Sequence, residues 1–304
     1  MGVAAATPRK LTLAERLDAY ERLMRLDKPI GTLLLLWPTL CALWFAAGGR
    51  PRGSLVLIFV VGTLVTRSAG CAMNDWADRD FDGHVARTAK RPLAMREIAP
   101  WEALLVAAIG AFLAFLLVLF TNRATMLWSL PALAIAIAYP FVKRVFALPQ
   151  AFLGIAFSFG IPMAYAAVLN HVPAIAWAYL VINLFWVVAY DTEYAMVDRA
   201  DDAKIGIGTS ALTFGRFDVL AVGVCYLVYL AGMAWLGRIY AQGFVYGVAL
   251  AAAAVLAAWH LWLIRARDPA ACFRAFLGNH WLGMAVFAGI VADDALSGRW
   301  PMHW

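Results

Sequence analysis

The chain has 304 residues, 64% of them hydrophobic and 14% charged, against roughly 25% charged in ordinary soluble domains. That balance excludes a water-soluble globular enzyme and points to an integral membrane protein. The formal net charge of +6 is read as membrane topology and attraction to an anionic lipid surface, with no nucleic-acid partner.

In chain order, residues 1–28 carry Glu15, Asp18, Glu21 and Asp27 and have no apolar signal core. They read as a cytoplasmic amphipathic N-terminal segment, neither a secretory signal nor an acid-poor transit peptide. Uncharged stretches long enough to cross a hydrocarbon layer, about 20 residues each, then recur at 30–47, 103–120, 124–142, 145–169, 172–190, 219–236, 239–264 and 275–292. A further one, 54–73, is interrupted by Arg67. The expected fold class is therefore all-α integral membrane, with nine transmembrane helices in a single domain over 29–293 and a short tail at 294–304.

Two long polar loops are expected, 78–100 after span 2 and 191–216 after span 6. An even number of crossings separates them, so both lie on one face of the membrane. With the N-terminus cytoplasmic, 19 of the 25 Lys/Arg residues fall on cytoplasmic segments, which orients the bundle with both acidic loops in the cytoplasm. In each loop an apolar helix runs into an acid-rich end, a basic residue and glycine, which suggests two four-helix halves plus one added helix. The four cysteines form no CxxC pair and read as small apolar packing residues. The five histidines lack zinc spacing.

The chemistry sits in the two loops. In "NDWADRDFDGHVARTAKRPLA" (74–94), a helix turning 100° per residue places Asp75, Asp78 and Asp82 within about 60° of one another, with Asn74 alongside. In "DTEYAMVDRADDAKIG" (191–206), Asp191, Asp198 and Asp202 fall within about 20° of a common direction, with Tyr194 near it. Carboxylates stacked a turn apart repel and need a neutralising cation. Mg²⁺ takes oxygen ligands from one or two carboxylates plus substrate phosphate, so two facing stripes at one end of a bundle suit a diphosphate leaving group. Arg67, about 10 Å deeper on the first helix, points to the acidic face from inside the membrane, where an ionised residue is functional by default. Arg87, Lys90, Arg91, Lys143 and Arg144 are candidates to meet phosphate or an anionic acceptor. Tyr139, Phe157, Trp186, Tyr190 and Tyr194 are candidate faces for an allylic cation. A divalent-cation or proton-coupled transporter is the competing reading. Binding acids in transporters usually sit at the bilayer midplane, whereas these cluster at one end.

"LDKPIGTLLLLWPTL" (26–40), "NDWADRDFDGHVARTAKRPLA", "YPFVKR" (139–144) and "YDTEYAMVDRADDAKIGIGTSA" (190–211) resemble the UbiA-type intramembrane prenyltransferases over most of the chain. The "DGHV" and "KPIG" words favour the branch that prenylates hydroxybenzoate. The resemblance implies nine helices around a central cavity in a bacterial inner membrane, Mg²⁺ as cofactor, and a polyprenyl diphosphate and 4-hydroxybenzoate as substrates in ubiquinone biosynthesis. Another aromatic acceptor on the same scaffold stays open. On that resemblance Asp75, Asp78, Asp82, Asp191, Asp198 and Asp202 match the metal site and Asn74 the diphosphate site. Asp75, Asp78, Asp191, Asp198 and Arg67 are the candidate catalytic set, and Asn74, Arg67, Arg91, Lys143, Arg144, Tyr139 and Tyr194 the candidate substrate-binding set.

Overall fold

A computed structural model describes residues 11–80, 82–84, 88–142, 148–206 and 208–297. Among them every regular element is helical. Eight helical segments are long and apolar enough to cross a membrane, and the apolar helix Ile30–Ala46 is shorter, at 17 residues.

The chain opens with α1 (Leu13–Met24) outside those spans. Thr12 caps its N-terminus and Glu15 reaches back to the Thr12 backbone, a reciprocal capping box that satisfies two otherwise orphaned donors. The helices α2 (Ile30–Ala46), α3 (Gly53–Asp78), α4 (Pro100–Leu119) and α5 (Arg123–Val142) follow. At the head of α4, Pro100 and the Glu102 carboxylate, which accepts from the Ala99 N–H at 2.9 Å, fix the start of the helix. The expected span at 145–169 is present as one membrane-length segment, Pro149–Leu169, interrupted at Phe159 into two helices, α6 (Pro149–Ser158) and α7 (Gly160–Leu169). Pro162 has no N–H to offer the Ser158 carbonyl one turn back, which breaks the helix there.

The longest element is α8 (Ala174–Ile205), 32 residues or about 48 Å. A hydrocarbon layer is about 30 Å thick, so roughly a dozen residues project beyond it. The acidic motif at 191–202 is therefore a helical extension, as the acid-rich helix end required, and the polar loop expected over 191–216 is correspondingly shorter. Gly206, at φ +72°, closes it in the left-handed conformation that glycine adopts without strain. The short α9 (Ser210–Phe214) leads to α10 (Asp218–Ile239), α11 (Phe244–Ile264) and α12 (Pro269–Ser297).

Contacts between sequence-distant residues sort the helix ends into two sets. At one end, Arg25 after α1 meets Asp75 of α3, Arg16 and Tyr20 of α1 bind Glu102 of α4, Ser210 of α9 donates to Gln150 of α6, and Arg267 after α11 meets Asp218 of α10. At the other, Asn122 before α5 donates to the Ala166 carbonyl of α7, and Asp293 of α12 accepts from Gly243 before α11. Both acidic motifs lie at the first end. The four cysteines are free and buried.

Candidate active site

The first motif sits on the last turn of α3. Asp75 is fully buried and binds two guanidinium groups, Arg25 at 2.8 Å and Arg91 at 3.1 Å. Asn74 donates to Asp78 at 3.0 Å. The helix ends at Asp78, so Asp82 does not continue the stripe as the helical wheel required; it opens a 3₁₀ turn, Asp82–His84. It comes back beside its partners all the same, because Arg91 grips both its oxygens, at 3.0 and 2.9 Å, and Thr88 donates to its carbonyl at 2.8 Å. Asp75, Asp78 and Asp82 are near enough for their charges to interact. Burial holds the Asp82 carboxyl above the usual carboxylate range, although the Arg91 charge pulls the other way.

Tyr139, near the end of α5, links the two motifs. It lies within electrostatic reach of Asp191 and Tyr194 on α8, of Asp78 on α3 and of Arg67 deeper on α3. Tyr190 faces the same groups, Asp191, Arg67 and Tyr139. Arg67, Tyr139, Tyr190, Tyr194, Asp78 and Asp191 thus converge. On the same stripe of α8, Asp202 is buried and Asp198 half-buried. No group of three or more His, Cys, Asp or Glu among the described residues is close enough to hold one metal ion. The cations beside Asp75 and Asp82 are arginines.

Arg67 donates to Cys71 one turn along, and its guanidinium carbon stands 6.0 Å from the Phe157 ring centroid. A Cβ added at Gly31 would stand 2.7 Å from Arg67 Nη2 and 2.9 Å from its Nε, so the glycine of the KPIG word leaves the space this side chain fills. Arg67 Nε and the Tyr190 hydroxyl are buried with no hydrogen-bond partner among the described residues. Two unmatched donors at one place are costly unless a ligand supplies an acceptor oxygen.

Of the other sequence candidates, Arg91 points to Asp75 and Asp82. Lys143, Arg144 and Arg87 lie outside the described residues. Trp186 is a core residue that donates to Asn279 at 2.9 Å and packs on Tyr190 and Tyr229. Arg25 was missed as a site residue. Its position in the sequence, 50 residues before Asp75, gave no signal beyond the basic charge common to cytoplasmic segments. Glu193, inside the second motif, was also passed over; it faces away from Asp191 by about 160° and is fully buried.

The pattern of the UbiA prenyltransferase family matches residues 35–283. A "4-hydroxybenzoate octaprenyltransferase" of Cupriavidus necator is 60% identical over 284 residues, 93% of this chain and 100% of the relative. Among solved structures, a UbiA homolog from Aeropyrum pernix K1 superposes with a TM-score of 0.76 at 26% identity, over 86% of this chain and 98% of its own. A UbiA homolog from Archaeoglobus fulgidus bound to GPP and Mg²⁺ gives a TM-score of 0.69 at 17% identity, over 90% of this chain and 99% of its own.

Proposed function

We propose, from the premise that this chain belongs to the UbiA prenyltransferase family, that it is a membrane enzyme transferring a polyprenyl group from polyprenyl diphosphate to 4-hydroxybenzoate in ubiquinone biosynthesis. The observation that carries the reading is the convergence of the two acidic motifs with Arg67 around Tyr139.

In the reaction the allylic C–O bond of the donor breaks and diphosphate departs. The ring carbon ortho to the acceptor hydroxyl forms the new C–C bond, and that carbon then loses its proton to restore aromaticity. The carboxylates Asp75, Asp78, Asp82, Asp191, Asp198 and Asp202 are a hard, all-oxygen set of the kind Mg²⁺ takes, and the first three already interact through their charges. They are the residues that would hold the cofactor. When bound, Mg²⁺ supplies neutralisation of the charge that grows on the leaving diphosphate.

The protein's own groups do the rest. Arg25 and Arg91 present planar guanidinium forks suited to phosphate oxygens, and the Asn74 amide is held against Asp78 at the same place. The unmatched Arg67 Nε and Tyr190 hydroxyl suit the acceptor carboxylate, for which Lys143 and Arg144 are the alternative partners. The faces of Tyr139, Tyr194 and Phe157 attract a developing allylic cation. Burial among apolar helices keeps out the water that would capture it.

The reading also carries nine crossings, with Ile30–Ala46 as the first, around a central cavity in one domain over 29–293. It sets the N-terminus and both acidic motifs in the cytoplasm of a bacterial inner membrane. The test is product analysis with purified protein, 4-hydroxybenzoate, a polyprenyl diphosphate and Mg²⁺, with and without chelator, beside Asp75→Asn and Asp198→Asn. The expected result is a prenylated benzoate abolished by chelator and reduced at least about 100-fold in both variants, the scale of losing an electrostatic group at the reacting centre. Undiminished product under chelation, or in a folded Asp75→Asn, overturns it.

A further inference from the structure

Between α11 and α12, at the same end as the acidic motifs, lies a groove of about 220 Å³ that the proposed chemistry does not use. Leu256, Trp259 and Leu263 line it from α11, and Arg274 and Trp281 from α12. The helices run antiparallel, so Leu263 and Arg274 stand near the membrane edge, while Leu256 and Trp281 stand about 10 Å deeper. The groove therefore runs along the membrane normal, basic at its outer end and apolar at its inner end.

It faces outward. Trp259, Trp262 and Trp281 are each about half exposed, and Trp259 and Trp262 stack at 4.7 Å. Tryptophans in this position mark the level of lipid headgroups. Arg265, at the end of α11, lies over the Trp262 ring at 4.3 Å. Arg274 is exposed. Neither arginine has a carboxylate partner among the described residues, unlike Arg267 and Arg199 close by, which both bind the buried Asp218.

The floor of the groove is also built for a polar group. His260 is buried, with Nδ1 held by the Tyr226 hydroxyl at 3.1 Å, and its Nε2 faces Gly278, where an added Cβ would stand 2.5 Å away. Gly278 leaves that nitrogen open to the groove. Tyr226 in turn binds Glu193, on the side of α8 turned away from Asp191, so the groove is separate from the proposed active site.

We infer that this groove binds an anionic phospholipid, its phosphate held by Arg274 at the outer end and the start of an acyl chain laid against Leu256, Trp259 and Trp281. Charge decides the class of occupant: an exposed guanidinium with no carboxylate partner among the described residues, above an apolar channel at headgroup level, matches an anionic lipid.

The test is thermal unfolding and native mass spectrometry of the full-length protein in detergent, titrated with phosphatidylglycerol or with phosphatidylcholine of the same chains. The wild type is expected to gain Tm and retain bound lipid with phosphatidylglycerol over phosphatidylcholine. Arg274→Gln should lose affinity for phosphatidylglycerol by about fivefold, the equivalent of about 1 kcal/mol per basic residue at an anionic surface, while Arg265→Gln, on the far face of α11 over Trp262, should bind as the wild type does. Arg238→Gln, at the opposite end of α10, should bind as the wild type does. Equal responses to the two lipids, an undiminished response in Arg274→Gln, or the same shift from inorganic phosphate alone would each overturn the inference.

Discussion

Arg67 and Gly31 show how one side chain fixes the identity of another. The guanidinium occupies the volume that any Cβ at position 31 would take. Because the displaced atoms are the end of a flexible side chain, Gly31→Ala should fold with a stability change within about 1 kcal/mol, while the guanidinium moves off its site. The expected outcome is a roughly tenfold or greater fall in kcat/KM for 4-hydroxybenzoate, with Tm nearly unchanged. A variant with full activity would remove Arg67 from the acceptor site. At this scale the sequence was legible wherever helical geometry alone decides. Asp75 and Asp78 share a face because they are three residues apart on one helix. Asp82 and Arg25 were not legible in the same way: the helix ends at Asp78, so a fold of the chain and the Arg91 bridge set the place of Asp82, and Arg25 reaches Asp75 through the packing of α1 on α3.

At the scale of elements, α8 is held from both sides. Its acidic face carries Asp191 and Asp198, and its back carries Glu193, bound by the Tyr226 hydroxyl at 2.8 Å and by the Asn279 amide at 2.8 Å. Asn279 also accepts from Trp186 and donates to the Ala275 carbonyl. This network ties α8 to α10, α11 and α12 at the level where α8 leaves the membrane, and so sets the pitch at which the opposite face presents its carboxylates. A glutamine at 193 satisfies every partner, accepting from Asn279 and donating to the Tyr226 oxygen, which then donates to Asn279. A leucine leaves polar groups stranded, at about 1–3 kcal/mol for each. Glu193→Gln should therefore unfold close to the wild-type temperature, and Glu193→Leu several degrees lower with a large loss of activity, both measured by thermal unfolding in detergent. Equal stability in the two variants would show that the network does not position α8. The sequence placed Glu193 inside the motif but could not assign it, since the face opposite Asp191 acquires meaning only from the three helices packed on it. The break between α6 and α7 had a visible cause in Pro162, yet proline interrupts neither α2 at Pro38 nor α5 at Pro131, so the packed context decides.

For the whole molecule, the arrangement of helix ends makes a claim about sidedness that composition alone cannot carry. The contacts place residues near 90 and 201 at the acidic end, and the turns after α2 and α7 at the other. The proposed orientation, drawn from the charge bias of the sequence, sets the acidic end in the cytoplasm. Since the four native cysteines are buried, single introduced cysteines report on sides with little background. Lys90→Cys and Asp201→Cys should label from the cytoplasmic face alone, and Arg50→Cys and His171→Cys from the periplasmic face alone. All four positions are solvent-facing or at helix ends, so the substitutions fall where changes are usually within about 0.5 kcal/mol. With nine crossings, Arg50 follows the first and His171 the fifth, both odd, so the two must label together. If Ile30–Ala46, 17 residues long, instead turned back within the membrane, α3 would still separate Arg50 from Lys90, and the chain before α2 would lie on the Arg50 side, so Glu21→Cys on α1, an exposed position, would label from the periplasmic face. That outcome would remove the first crossing; with nine crossings Glu21→Cys labels from the cytoplasmic face together with Lys90→Cys.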